Sequence, residues 1–369
     1  MLRVAVIGCG KIADSHAAQI RRVSRCEIVA ACDTEPLMAR QFCERFSIPK
    51  SYSDVEELLR DSRPDVVHIT TPPRSHYSLG MLCLDAGCHV YMEKPFTVDE
   101  GEARLLVDCA VRSGMSITVG HDHQFRHAAR RLRALVERGF LGDGPVHMES
   151  HYGYELGRAG YAGALLGDKN HWVRSLPGGL IQNIISHGIA RIAEFLPDDQ
   201  PEVRAIGFTS RQLKAQGEVS LVDELRVFIK SDDGTTAYFT FSSQMRPSLH
   251  EFRIFGTKNG IAMDQDQETL VELRGTKRQS YLEQMVSPLQ LAKQYVGNAA
   301  GNMRKFLHRD FHPKAGMKCL IEKFYESIEG NGPLPISHRE ILLTSHIMDR
   351  IISQIGDGSA IAKSSAHVV

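Results

Sequence analysis

Two short segments carry residue types whose spacing could do chemistry. Glu93-Lys94-Pro95 closes a short apolar run. An ammonium held at such a strand end can hydrogen-bond an alcohol oxygen and favour the alkoxide that develops as its proton leaves. Gly8-Cys9-Gly10-Lys11-Ile12-Ala13 follows another apolar run, Val4 to Ile7, in the form G-x-G-x-x-A. Gly8 allows the tight turn, Gly10 lets backbone approach a pyrophosphate, and Ala13 permits close helix packing, with Lys11 and Ile12 opening the helix. N–H groups at that helix start bring partial positive charge, so dinucleotide binding is expected there, with Lys94 near the nicotinamide. Asp33 ends the second apolar run. Its carboxylate either accepts hydrogen bonds from the adenosine ribose and repels a 2′-phosphate, favouring NAD over NADP, or caps the helix that Thr34-Glu35-Pro36 begins.

Such residues need a scaffold that brings strand ends together. Short β-branched runs, Val4 to Ile7, Ile28 to Cys32, Val66 to Thr70, Val90 to Met92 and Ile117 to Val119, alternate with segments of helical apolar spacing. The helix opened by the glycine turn is expected to reach about Val23. Near-continuous apolar strands joined by amphipathic helices predict a doubly wound parallel sheet, an α/β domain over residues 1–122 that binds ligands at the carboxyl ends of its strands.

Composition narrows the function classes. The chain has 369 residues, enough for two domains, and its 44 basic and 44 acidic residues give no net charge, so neither nucleic acid nor an anionic membrane surface is an expected partner. No apolar run is long enough to span a bilayer, and Met1-Leu2-Arg3-Val4 enters a strand rather than a signal peptide; a cytoplasmic protein is expected. Of the eight cysteines, seven lie in the first third of the chain without C-x-x-C spacing, which argues for small buried residues rather than a zinc site or disulfides.

Strand ends bearing T-x-P-x-x-x-H (Thr70, Pro72, His76) and E-K-P in a fingerprint domain resemble the glucose-fructose oxidoreductase, inositol dehydrogenase and rhizopine-catabolism (Gfo/Idh/MocA) family. The resemblance extends through Val119-Gly120 into the second half. It implies a Rossmann domain followed by an open, mostly antiparallel sheet (α+β) for substrate binding and oligomerisation, over residues 123–355, with 356–369 a loose tail. The sequence agrees, because strands are expected at 146–150, 203–209, 224–229, 236–242, 250–255 and 270–273, with Asp232-Asp233-Gly234 a hairpin turn and helices near 314–328 and 337–355. One sheet face left free would serve a homodimer or homotetramer.

The resemblance also implies site residues. Thr71, Pro72, His76, Glu93, Lys94 and Gln124 would join Gly8, Gly10, Lys11, Ile12, Ala13 and Asp33 around the cofactor. Pro177-Gly178-Gly179 opens a helix carrying Asn183 and His187, four apart and so on one face. His187 and Lys94 match the family's catalytic pair, while Asn183 stands where an aspartate is usual. Oxidising a secondary alcohol needs one base and one charge stabiliser; His187 is assigned the first role and Lys94 the second, with a lysine base as the reverse assignment. Asn183 can orient the alcohol or the imidazole but carries no charge. His121, Asp122 and His123 have no recognised ligand spacing, so no metal is expected. The loop from Tyr161 to Arg174 holds His171 and Trp172, suited either to the face of a sugar ring or to a plug between domains. A sugar, polyol or nucleotide-linked sugar is the implied substrate. The basic stretch Arg304, Lys305, His308, Arg309, His312 and Lys314 would favour an anionic one if it reaches the site. An NAD-dependent glycosidase and a non-catalytic dinucleotide-binding protein are the alternatives.

Overall fold

The computed structural model describes residues 1–155, 167–275 and 281–364, the side chains of 282 and 356–364 excepted. The chain divides into two compact units, Met1–Asp122 with Gly316–His346, and His123–Ala315 with Ile347–Val369. Gly316–His346 joins the first unit through a buried contact: Tyr91 in the first sheet meets Phe324 edge-on at 6.2 Å, a favourable aromatic geometry.

In the first unit, β1 (Leu2–Ile7), β2 (Cys26–Cys32), β3 (Ser51–Tyr52), β4 (Val66–Ile69), β5 (His89–Met92) and β6 (Ile117–Val119) form a parallel sheet in the order β3-β2-β1-β4-β5-β6. Val4, Val6, Val66, Val67, Val90 and Ile117 are fully buried, as a sheet covered on both faces requires. The Lys11–Ile20 helix lies on it through Ala13 and Ala17, and the Pro36–Arg45 helix through Ala39 and Phe42. Asp54 and Asp99 cap the next helices by accepting from Glu57 N and Glu102 N, each at 2.8 Å. The first helix stops at Ile20, short of the expected Val23, with Arg21 as its C-cap. None of the eight cysteines is joined in a disulfide, and six of them are buried. Burial pushes the Cys26, Cys32, Cys43 and Cys88 thiols up to about 11, so they are poor nucleophiles.

The second unit is built on β7 (Pro145–Gly153), β8 (Glu202–Phe208), β9 (Glu224–Lys230), β10 (Thr236–Ser242), β11 (His250–Gly256), β12 (Asn259–Asp264) and β13 (Thr269–Arg274). Their order is β13-β12-β11-β7-β10-β9-β8, with β7 and β10 parallel and the other described pairs antiparallel. The hairpin at Asp232-Asp233-Gly234 forms as expected, with Gly234 at φ +90°. Ala237, Phe239 and Phe241 point inward along β10, while Tyr238 is half exposed on the other face. The Gly179–Ala193 helix packs on the inner face, where a Cβ at Gly188 would overlap the rings of Phe239 and Tyr152.

Among the elements that escaped the sequence reading are β3, the His127–Glu137 helix, β12, the short Arg211–Ala215 helix and the long Tyr281–Leu307 helix. Pro288, Gly297 and Gly301 read as breaks in the sequence of the long helix. The last helix, His338–Ser364, runs past Ile355, so the expected loose tail is helical as far as Ser364; residues 365–369 lie outside the described residues.

Candidate active site

The first unit gathers its fingerprint residues at the carboxyl ends of β1, β2, β4 and β5. Gly8 has φ +91°, and a Cβ there would lie 2.7 Å from Thr71 Cγ2, so the turn after β1 needs glycine twice over. Gly10 is the N-cap of the Lys11–Ile20 helix, and a Cβ built on it would meet nothing within 4 Å. That open space in front of the helix N–H groups is what a pyrophosphate requires. Ala13 is fully buried, Ile12 half-buried and Lys11 exposed. Asp33 accepts hydrogen bonds from Cys9 N at 2.7 Å and Glu35 N at 3.0 Å. It therefore braces the glycine turn and the following loop at once, while its partial exposure leaves lone pairs for a ribose. These residues fit a nicotinamide dinucleotide.

Thr71 accepts from Ser75 Oγ at 2.8 Å beside exposed Pro72. His76 does not fit the cofactor contact expected of it. It is fully buried, with Nε2 2.9 Å from Thr71 O and Nδ1 3.0 Å from Pro95 O. Its ring ties the loop after β4 to the loop after β5, and burial lowers its pKa despite those carbonyls.

Lys94 is partly exposed at the end of β5 and joined to Pro95 by a cis peptide. Glu93 beside it points inward. Its Oε2 accepts from Lys94 N at 3.1 Å and its Oε1 lies 2.8 Å from His16 Nε2. Burial alone would raise the Glu93 pKa, but the His16 hydrogen bond and the Lys94 charge outweigh it and hold the carboxyl low. The chain continues inward: His16 Nδ1 is 2.8 Å from His68 Nδ1, and His68 Nε2 is 2.8 Å from the Tyr325 hydroxyl. His16 and His68 were not singled out from the sequence, because partners so far apart along the chain leave no local signature. Gly120, at the end of β6, would bring a Cβ to 2.9 Å from Glu93 Oε1. Burial and the Lys94 charge push the neighbouring His121 down to about 3.

The second unit contributes Asn183 and His187 on the Gly179–Ala193 helix, the former buried and the latter partly exposed. The His187 ring stacks on His123, with centroids 4.0 Å apart and planes 9° from parallel. His123 Nδ1 is 3.3 Å from the Tyr152 hydroxyl, and His250 stands edge-on to Tyr152 at 4.6 Å. His250 in turn faces Asp266, both carboxylate oxygens 3.0 Å from Nδ1. Burial raises the Asp266 pKa, but this hydrogen bond more than reverses it. Tyr152 and His250 were missed in the sequence; each lies in a strand whose alternation gives no hint that imidazoles converge.

Gln124 is a second correction. It is buried, and its amide donates to Ala190 O at 3.3 Å and Glu194 Oε2 at 3.0 Å, so it anchors the Gly179–Ala193 helix rather than a cofactor. Arg191, fully buried, donates to His123 O at 2.8 Å and to Glu194 at 3.0 Å, fixing the backbone beneath the stacked histidine. His171 caps the Trp172–Ser175 turn by accepting from Val173 N at 3.3 Å and stacks with Trp172 at 5.8 Å. Trp172 is 37% exposed and is therefore not a core plug. Tyr161 lies outside the described residues.

The first unit is thus a doubly wound dinucleotide-binding domain, and the second an open-sheet domain bearing clustered imidazoles. Residues 2–121 match a family profile described as an oxidoreductase family with an NAD-binding Rossmann fold, and residues 129–262 match the GFO/IDH/MocA C-terminal domain. The chain belongs to the Gfo/Idh/MocA family of oxidoreductases. It is 35% identical over 143 residues to D-glucoside 3-dehydrogenase of Escherichia coli (strain K12), covering 38% of this chain and 41% of that protein. It is 29% identical over 274 residues to a 1-carboxy-3-chloro-3,4-dihydroxycyclohexa-1,5-diene dehydrogenase of Comamonas testosteroni, covering 74% of this chain and 65% of that protein. The match thus spans less than two thirds of either relative's length. The WlbA dehydrogenase of Bordetella pertussis, solved with NADH and UDP-GlcNAcA, shares the fold at TM-score 0.76 and 16% identity, over 97% of this chain and 96% of that one.

Proposed function

We propose that this protein is an NAD-dependent dehydrogenase that interconverts a secondary alcohol and a ketone on a sugar, polyol or nucleotide-linked sugar. The observation that carries the reading is the strand-end array of the first unit: an open cradle at Gly10, a carboxylate at Asp33 and the ammonium of Lys94 at the end of β5. The names of the relatives, dehydrogenases of a glucoside and of a cyclic diol, support the same class.

A bound nicotinamide would supply the hydride acceptor or donor for the carbinol carbon. Lys94 donates a hydrogen bond to the alcohol oxygen and stabilises the negative charge that grows there. His187 takes the hydroxyl proton, and Asn183, one turn earlier on the same face, orients the alcohol through its amide. Asp33 selects NAD, because its carboxylate would face the 2′-phosphate of NADP. Trp172 offers a flat apolar face to a sugar ring. The protein acts as a homo-oligomer.

The test is NADH formation across a panel of free, phosphorylated and nucleotide-linked sugars and polyols, with product mass followed in parallel. Net NADH with loss of two hydrogens from one substrate supports the reading. Dinucleotide binding with no turnover on any alcohol, or cleavage of a glycoside without net NADH, rejects it.

A further inference from the structure

The Tyr281–Leu307 helix is amphipathic in reverse. Its face toward the sheet is polar: Asn298 donates to Leu270 O at 2.9 Å, Gln294 accepts from Glu272 N at 2.8 Å and donates to Glu272 O at 3.1 Å, and Asn302 donates to Gln267 O at 2.9 Å. These amides, four residues apart, satisfy the free edge of β13 as another strand would. The opposite face is apolar and turned to solvent. Leu289 and Val296 are each 70% exposed, Met303 60% and Phe306 63%, with Ala292 and Ala299 exposed between them.

The spacing of that outer face is specific. Leu289, Val296 and Met303 recur at seven-residue intervals, and Ala292, Ala299 and Phe306 recur likewise three positions later. This is the alternating three-and-four repeat of a coiled-coil seam, which a helix lying alone on a domain has no use for. Sizes along the seam are graded, with alanines near its centre and large residues at its ends. Turning one helix end for end against an identical one sets Leu289 against Phe306, Ala292 against Met303 and Val296 against Ala299, so that large meets small at the two central layers and every seam residue is matched.

We propose that the outer face of this helix is a self-association surface on which a second copy of this chain docks, the two helices pairing antiparallel about a two-fold axis.

The test uses the full-length protein in sedimentation velocity. Val296→Glu should halve the assembly mass while leaving the thermal melt and dinucleotide affinity as in the wild type. Independently, the double variant Ala292→Cys/Met303→Cys should form a disulfide-linked dimer on oxidation, above the wild-type background, whereas neither single variant does. An unchanged mass in Val296→Glu with no crosslink in the double variant overturns the proposal. Crosslinking by Ala292→Cys alone, the signature of a parallel pair, overturns it as well. So does binding of the wild type, but not Val296→Glu, to phosphatidylcholine/phosphatidylglycerol vesicles at equal solution mass, which would make the occupant a lipid surface.

Discussion

At the residue scale the proposed reaction turns on Lys94, whose setting is unusual for what lies behind it. Glu93 is an ionised, buried acceptor, so His16 must donate from Nε2. Behind it, His16 Nδ1 pairs with His68 Nδ1, and His68 Nε2 with the Tyr325 hydroxyl. Lys94→Ala is expected to lower kcat by about 10²–10³-fold while dinucleotide affinity changes little, since only the developing charge is affected; stopped-flow turnover and cofactor titration separate the two. His16→Ala strands the Glu93 carboxylate and should cost about 3–5 kcal/mol in urea denaturation. A loss below about 1 kcal/mol would mean that Glu93 takes up a proton instead. Lys94 stood out in the sequence because the proline and glutamate flank it. His16 and His68 did not, because only the folded sheet brings them to Glu93. His76 and Gln124 were misread for a related reason: a polar residue near a ligand-binding loop looks alike in sequence whether it faces the ligand or fastens the loop.

At the scale of elements, the Gly179–Ala193 helix depends on a close approach. Gly188→Leu would drive a side chain into Phe239 and Tyr152, and about 1–3 kcal/mol of destabilisation is expected, measured by chemical denaturation. Because His187 precedes Gly188, turnover should fall along with stability. Asn298→Ala removes both hydrogen bonds to Leu270 and should speed amide hydrogen exchange in β13 well before it affects β7 at the sheet centre. Strands and most helices were legible from periods of two and of about three and a half. The Tyr281–Leu307 helix was not, because Pro288, Gly297 and Gly301 read as breaks within it.

At the scale of the whole molecule, zero net charge conceals several buried histidines. His68 and His76 lie below the ordinary imidazole pKa because burial disfavours their charge, and His121 is pushed to about 3 by burial and Lys94. Each takes up its proton in the unfolded chain before it does so in the folded one. The stability they contribute is therefore complete above about pH 6.5 and is lost as pH falls, each adding a slope of up to about 1.4 kcal/mol per pH unit. Denaturation midpoints should drop between about pH 7.5 and about pH 5; a flat profile would show that these rings are protonated in the native state. Composition could not have revealed this, since it counts histidines without locating them. The amides of Gln294, Asn298 and Asn302 also bear on the protein's fate once it loosens. Should their helix lift away, β13 would offer a bare row of N–H and C=O groups to the same edge of another molecule. Fibril-like strand addition would then compete with refolding, so an undocked helix marks the start of aggregation more than of unfolding.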